Sequence, residues 1–205
     1  FRAKVTSEKT LKRSLAGKNP IGKRIKQTAY ANLDIIPTQF SHRHIEHLLA
    51  KQSEQGRHHI IHQLVQPLSE KYALVILDCP PSFSLLSEQI FETADALFLP
   101  IIPSYLSLRT FEQTHEFFKK NKLKPKRLHG FFTMVDRRRT LHKTMLSHPP
   151  SYLKNNLMTF IPYAAVIEQM GEHRAPLPVF DRHSEVSIAY AKLWLDIKAT
   201  LKEFK

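Results

Sequence analysis

The stretch Leu74-Val75-Ile76-Leu77-Asp78-Cys79-Pro80-Pro81-Ser82 limits the folds open to this chain more than any other part of its sequence. Residues 73–77 are continuously apolar rather than alternating, the pattern of a strand covered on both faces. Pro80 and Pro81 lack backbone N–H groups and fix φ, so the strand must stop there and the loop that follows is stiff. A strand buried on both sides needs a sheet with helices above and below, and such sheets bind ligands beyond the carboxyl ends of their strands. Asp78 emerges at that edge, where a carboxylate can orient Mg²⁺ or its water shell beside phosphates. An aspartate that merely caps the next turn has the same local pattern, so the remainder of the chain must decide.

From residue 33 onward, short apolar runs alternate with longer amphipathic stretches. Strands are expected at 33–36, 73–78, 96–101, 128–135 and 157–161. Helices are expected at 41–51, 57–70, 84–93, 105–120, 139–147 and 184–203, with a helical turn near 164–171. This alternation predicts an α/β fold, a mostly parallel sheet with helices on both faces. Residues 1–30 read as a basic connector with a short helix near 7–15, and 31–205 as a single domain. With 205 residues, 42% of them apolar, the chain can fill one sizeable core.

Thirty-one Lys and Arg against 18 Asp and Glu give a formal charge of +13, a field that concentrates polyanions. Cys79 is the sole cysteine, which excludes an intrachain disulfide and any multi-cysteine metal site and suits a reducing cytoplasm. No apolar run approaches the roughly 18 residues of a membrane span. Twelve histidines invite a metal reading, with His58 and His62 one helical turn apart after His42, His44 and His47. No glutamate follows in the H-E-x-x-H sense, so surface or interface histidines are the better reading.

The stretch Tyr72–Ser82 resembles the Walker B and switch region of the ParA/MinD family of P-loop ATPases, a hydrophobic strand followed by D-x-P-P-S. The resemblance continues in order over roughly residues 30–200. Ala94-Asp95 enters the apolar run that ends at Pro103-Ser104, and Thr133-Met134-Val135-Asp136-Arg137-Arg138 is similar to the family's T-M-x-D-x-R strand end. Ile161-Pro162 with Gly171 and Pro176 resembles the segment that closes over adenine in relatives, and 184–197 resembles the closing helix. Ser107–Phe111 and Met134–Arg139 also resemble ParA-like proteins placed beside cellulose-secretion genes, so the cargo is left open.

The resemblance implies ATP and Mg²⁺ as cofactors. Asp78 would be the catalytic carboxylate holding Mg²⁺ through water, Pro80, Pro81 and Ser82 would form the γ-phosphate sensing loop, and Thr133, Asp136 and Pro162 would lie near the base. It implies a cytoplasmic homodimer able to associate with the nucleoid, with a ParB-like stimulating partner. Arg137, Arg138, Arg139 and Arg174 would contact DNA phosphates without reading bases, as guanidinium groups can through two N–H donors. Residues 119–127 are a second, weaker basic candidate.

The family's deviant P-loop, K-G-G-x-G-K-[ST], has no counterpart in these residues. Gly17-Lys18-Asn19-Pro20-Ile21-Gly22-Lys23-Arg24 imitates a P-loop but lacks the preceding apolar strand and carries Arg24 where Mg²⁺ needs a hydroxyl. With Phe1 in place of an initiating Met, the expectation is a fragment without the first βαβ unit, which would not turn over ATP by itself. A non-catalytic binding module and a MinD-like membrane positioning protein are the alternatives. The face Tyr190, Leu193, Trp194, Ile197, Leu201 and Phe204 of the last helix could serve the latter, but packing in the core is the preferred reading.

Overall fold

The computed structural model describes residues 13–14, 20–37, 42–54, 59–79, 83–123, 128–153 and 156–203. The chain forms two compact units, Phe1–Ala94 and Asp95–Lys205.

In the first unit a 3-10 turn, Ile21–Arg24, leads into β1 (Lys26–Gln27), which pairs antiparallel with β2 (Asp34–Ile35). The hairpin loop is closed by Thr28, whose hydroxyl donates to the Leu33 carbonyl at 2.6 Å and accepts the Tyr30 N–H at 3.1 Å. Asn32 supplies the left-handed residue, at φ 60°. The strand expected at 33–36 is therefore half of a two-residue hairpin and not a member of the parallel sheet, because the local turn chemistry brings 26–27 back against it. Tyr72 donates its hydroxyl to Asp34 Oδ2 at 2.5 Å and ties this hairpin to the segment that precedes Ala73.

Three helices follow: α1 (His42–Glu54), α2 (Ile60–Val65), extended by a 3-10 turn at Gln66–Leu68, and α3 (Leu85–Thr93). Leu49, Ile60, Ile61, Leu86 and Ile90 form their shared core. Two side chains crossing between helices satisfy first-turn amides: Gln89 accepts the Ile61 N–H at 3.2 Å, and Glu46 accepts the Leu86 N–H at 3.1 Å. The first matters because His59, at the start of α2, has φ 57° and offers no side-chain cap.

The most constrained expectation fares differently from its neighbours. Residues 73–79 have no ladder partner among the described residues and form no strand. Leu77 and Cys79 pack on the helical core, whereas Leu74 is 39% and Ile76 74% exposed. An apolar run is a fully buried strand only where strands flank it; with one side covered by helices, alternate residues face outward.

The second unit has the expected layers. β3 (Leu97–Ile101) and β4 (Leu128–Phe132) pair in parallel, Leu97 beside Leu128 and Ile101 beside Phe132. Residues 157–163 run along the other edge of β4: Leu157 N–H donates to Gly130 O at 2.8 Å, Ile161 N–H to Phe132 O at 2.9 Å, and Val135 bridges Pro162 in parallel. Helices cover both faces. Ile101, Leu128 and Phe132 join Leu108 and Phe111 of α4 (Tyr105–Lys120) and Met145 of α5 (Thr140–Ser147) in one core. Phe98 and Phe131 point the opposite way, toward Leu177 of α7 (Leu177–Phe180) and Val186, Ala189 and Leu193 of α8 (Glu185–Lys202). A 3-10 turn, Ala165–Ile167, and α6 (Gln169–His173) precede α7. Serines cap α3, α4 and α8: Ser84, Ser104 and Ser184 accept the amides of Ser87, Ser107 and Ser187.

Sequence reasoning places α4 and α5 within a residue of their observed bounds and misses α7, whose start is masked by Pro176 and Pro178. Proline is tolerated in the first turn of a helix, where its missing N–H has no intrahelical partner. On α8, Leu193 is buried and Ile197 packs on the same core, but Tyr190 and Trp194 are more than a third exposed. Phe204 lies outside the described residues, as do 80–82, 124–127, His58 and most of the expected 7–15 helix.

Candidate functional site

The carboxyl ends of β3 and β4 carry the chemistry of the second unit. Thr133 N–H still donates to Ile101 O at 2.9 Å, the next residue, Met134, turns to φ 53°, and Val135 N–H donates to Ile161 O at 3.1 Å. A positive φ at a non-glycine residue is costly and is kept only where its surroundings enforce it. Here hydrogen bonds on the residues either side, to two different neighbours, enforce it.

Beyond this twist opens a cavity of about 750 Å³. Ile102, Pro103 and Ser104 wall it from the end of β3, Met134 and Asp136 from the end of β4, and the 138–142 segment and Tyr163 complete it. Apolar walls with a few polar groups at the rim are the usual lining of a small-molecule site.

Asp136 organises the rim. Its Oδ1 accepts the Arg138 backbone N–H at 3.0 Å and Nε–H at 2.9 Å, while Oδ2 accepts Nη2–H at 3.0 Å. Arg139 Nε stands 4.0 Å from Oδ2. The hydrogen bonds from the Arg138 side chain and backbone hold the Asp136 carboxyl down to about 2, and the same pairing raises the guanidinium above its ordinary value. The Asp136 N–H donates to His142 Nδ1 at 3.0 Å. Arg137 turns elsewhere, 3.3 Å from Glu185 at the start of α8 and over the Phe160 ring at 5.2 Å.

Thr133, Asp136, Arg137, Arg138, Arg139 and Pro162 thus lie together at one strand edge, with Asp136, Arg138 and Arg139 lining the cavity itself. Arg174 ends α6 at φ 50° and is not part of the cavity lining. Sequence reasoning passed over Ile102, Pro103, Leu141, His142 and Tyr163 as site residues. The available signal was topological: once β3 and β4 are neighbours, the residues after each must face one another.

In the first unit Asp78 is exposed, and no hydrogen bond or ion pair engages its carboxylate among the described residues. Burial, with the Asp78 charge adding to it, pushes the adjacent Cys79 thiol up. Among the described residues no group of three or more His, Cys, Asp or Glu could hold a metal ion. A single exposed carboxylate is the kind of donor that suits Mg²⁺, which keeps most of its waters and takes few protein ligands. Pro80, Pro81 and Ser82 lie outside the described residues. None of the described helices is long and apolar enough to cross a membrane.

Comparison with known proteins agrees with this architecture. The AAA domain family matches residues 2–128. The cell division protein PomZ of Myxococcus xanthus is 32% identical over 100 residues, 49% of this chain and 31% of that protein. The sporulation initiation inhibitor protein Soj of Bacillus subtilis is 26% identical over 182 residues, 85% of this chain and 70% of Soj. Among solved structures, the cell division ATPase MinD of Pyrococcus furiosus superposes with a TM-score of 0.68 at 17% identity, over 92% of this chain and 75% of that one. A putative plasmid partition protein of Borrelia burgdorferi, bound to AMPPNP, gives 0.66 at 17% identity, over 94% and 73%. The family match covers the Asp78 segment and β3, and this chain belongs to the ParA/MinD family of P-loop ATPases.

Proposed function

We propose that the chain works as part of a ParA-like ATPase that partitions or positions a cellular cargo, binding ATP with Mg²⁺ and, when loaded, duplex DNA without sequence preference. The observation that carries this reading is the cavity at the carboxyl ends of parallel β3 and β4, rimmed by Asp136, Arg138 and Arg139. In this account the cavity receives the base end of the nucleotide, with Thr133 and Pro162 fixing its strand edge and Asp136 acting through Arg138. Asp78 orients the Mg²⁺ water shell, and Pro80, Pro81 and Ser82 form the loop that senses the γ-phosphate. Bound ATP would join two subunits, and a ParB-like partner would stimulate hydrolysis.

Arg137, Arg138 and Arg139 serve as phosphate contacts, with Arg174 as a further candidate. Each of the first three already faces a carboxylate of Glu185 or Asp136, so the local charge is smaller than the triplet suggests. Their side chains are 65%, 85% and 70% exposed, and a polyanion can compete for their free donors. The test is duplex binding by the ATP-loaded protein over a salt series. The slope of log K against log salt should fall by about 0.9 for each phosphate that an Arg137/Arg138/Arg139→Ala variant no longer neutralises. An unchanged slope removes these arginines from the account, and DNA binding that ignores ATP contradicts the coupling.

A further inference from the structure

His142 sits on the inner face of α5, 5% exposed, and its Nδ1 accepts the Asp136 N–H at 3.0 Å. To accept there, the imidazole must be neutral with its proton on Nε2. The residue it holds is the one on which the rim depends. Asp136 takes the Arg138 backbone N–H and two guanidinium N–H groups, and its carbonyl accepts the Arg139 N–H at 3.1 Å. Among the described residues, these hydrogen-bond partners of Asp136 lie within its own turn, and the imidazole comes from the helix that follows. Leucine would fill the same buried volume, but it could not accept the amide.

We propose that His142 is a positioning residue for the cavity: its neutral imidazole fixes Asp136 so that Asp136 presents Arg138 to the base end of a nucleotide. This inference rests on the reading of the cavity as part of a nucleotide site. Arg138 uses two of its five side-chain N–H donors on Asp136, which leaves three for a ligand. Loss of the imidazole acceptor strands the Asp136 amide and frees the turn, so the guanidinium must be reordered at each binding event.

The test uses the full chain and its His142→Leu and His142→Asn variants, the latter keeping an acceptor oxygen near the Nδ1 position. Two readouts are taken: long-range ¹H–¹⁵N spectra for the imidazole tautomer and Asp136 amide exchange, and titration with a fluorescent ATP analogue plus Mg²⁺. The expected results are an Nε2–H tautomer with a protected Asp136 amide. Binding should weaken about tenfold in His142→Leu, the size of effect expected for an unsatisfied buried donor, with amide protection and affinity both restored in His142→Asn. A protonated Nδ1, or equal affinity in all three proteins, overturns the role of His142 and leaves the nucleotide reading intact. No binding by the unaltered chain overturns the nucleotide reading, and with it the effect on affinity, while the tautomer still reports whether the turn is held as described.

Discussion

Arg138 closes a fork on Asp136, two residues before it, Nε to Oδ1 at 2.9 Å and Nη2 to Oδ2 at 3.0 Å, so the acid of the T-M-x-D-x-R strand end is committed to its own arginine. The ionised carboxylate is what this fork holds. A folded value of about 2 against an unfolded value of about 3.9 means that its contribution is complete above about pH 4 and is lost as the pH falls through about 2. An NMR titration of the Asp136 carboxyl should show the low value, and Arg138→Gln should return it toward the ordinary carboxylate range. A midpoint near 4 in the unaltered protein contradicts the fork.

Gly130 lies where β4 passes closest to its neighbours. A Cβ there would come 2.7 Å from Asn156 Oδ1, 2.7 Å from Ile101 Cδ1 and 3.1 Å from Phe111 Cε2. Ile101 and Phe111 are fully packed and cannot yield cheaply. Gly130→Ala should cost about 1–3 kcal/mol in urea unfolding, the usual penalty for overpacking. A variant as stable as the parent contradicts this packing.

The closing helix presents different faces to core and solvent. Leu193 is 5% exposed and Leu195 58%. Leu193→Ala should cost about 2–5 kcal/mol, whereas Leu195→Ser should stay within about 0.5 kcal/mol. Thermal melts of the two variants compare these directly, and equal losses would mean that the helix is rotated from the position described.

The same comparison applies to the segment before Asp78. Ile76 is 74% exposed, while Leu77 packs against the core of Leu49, Ile60 and Ile90. In this chain Ile76→Ser should change stability by about 0.5 kcal/mol or less, and Leu77→Ser should be clearly destabilising. A large loss at Ile76, measured by urea unfolding, would restore the buried strand that its sequence suggests.

Legibility in the sequence followed the range of the physics involved. The α4 and α8 boundaries were readable because periodicity and the serine caps Ser104 and Ser184 are local signals. β3 and β4 were readable because both faces of each carry apolar residues for two layers of helix. The 73–78 run misled because burial of a strand depends on its neighbours, which its own residues do not encode. In the site, Asp136 and the arginines were visible as a motif, but their mutual pairing was not. Nor was the link from Asp136 to His142, six residues on, which depends on how the chain turns between β4 and α5.

The central claim is that the base end of a nucleotide occupies the cavity beyond β3 and β4. Photolabelling with an ATP analogue that carries an azide on the adenine ring, in the presence of Mg²⁺, followed by peptide mapping, tests it most directly. The account predicts label on the peptides that carry Ile102–Ser104, Met134–His142 and Tyr163, suppressed by excess ATP. Competable label confined to other parts of the chain, or none at all, would contradict it.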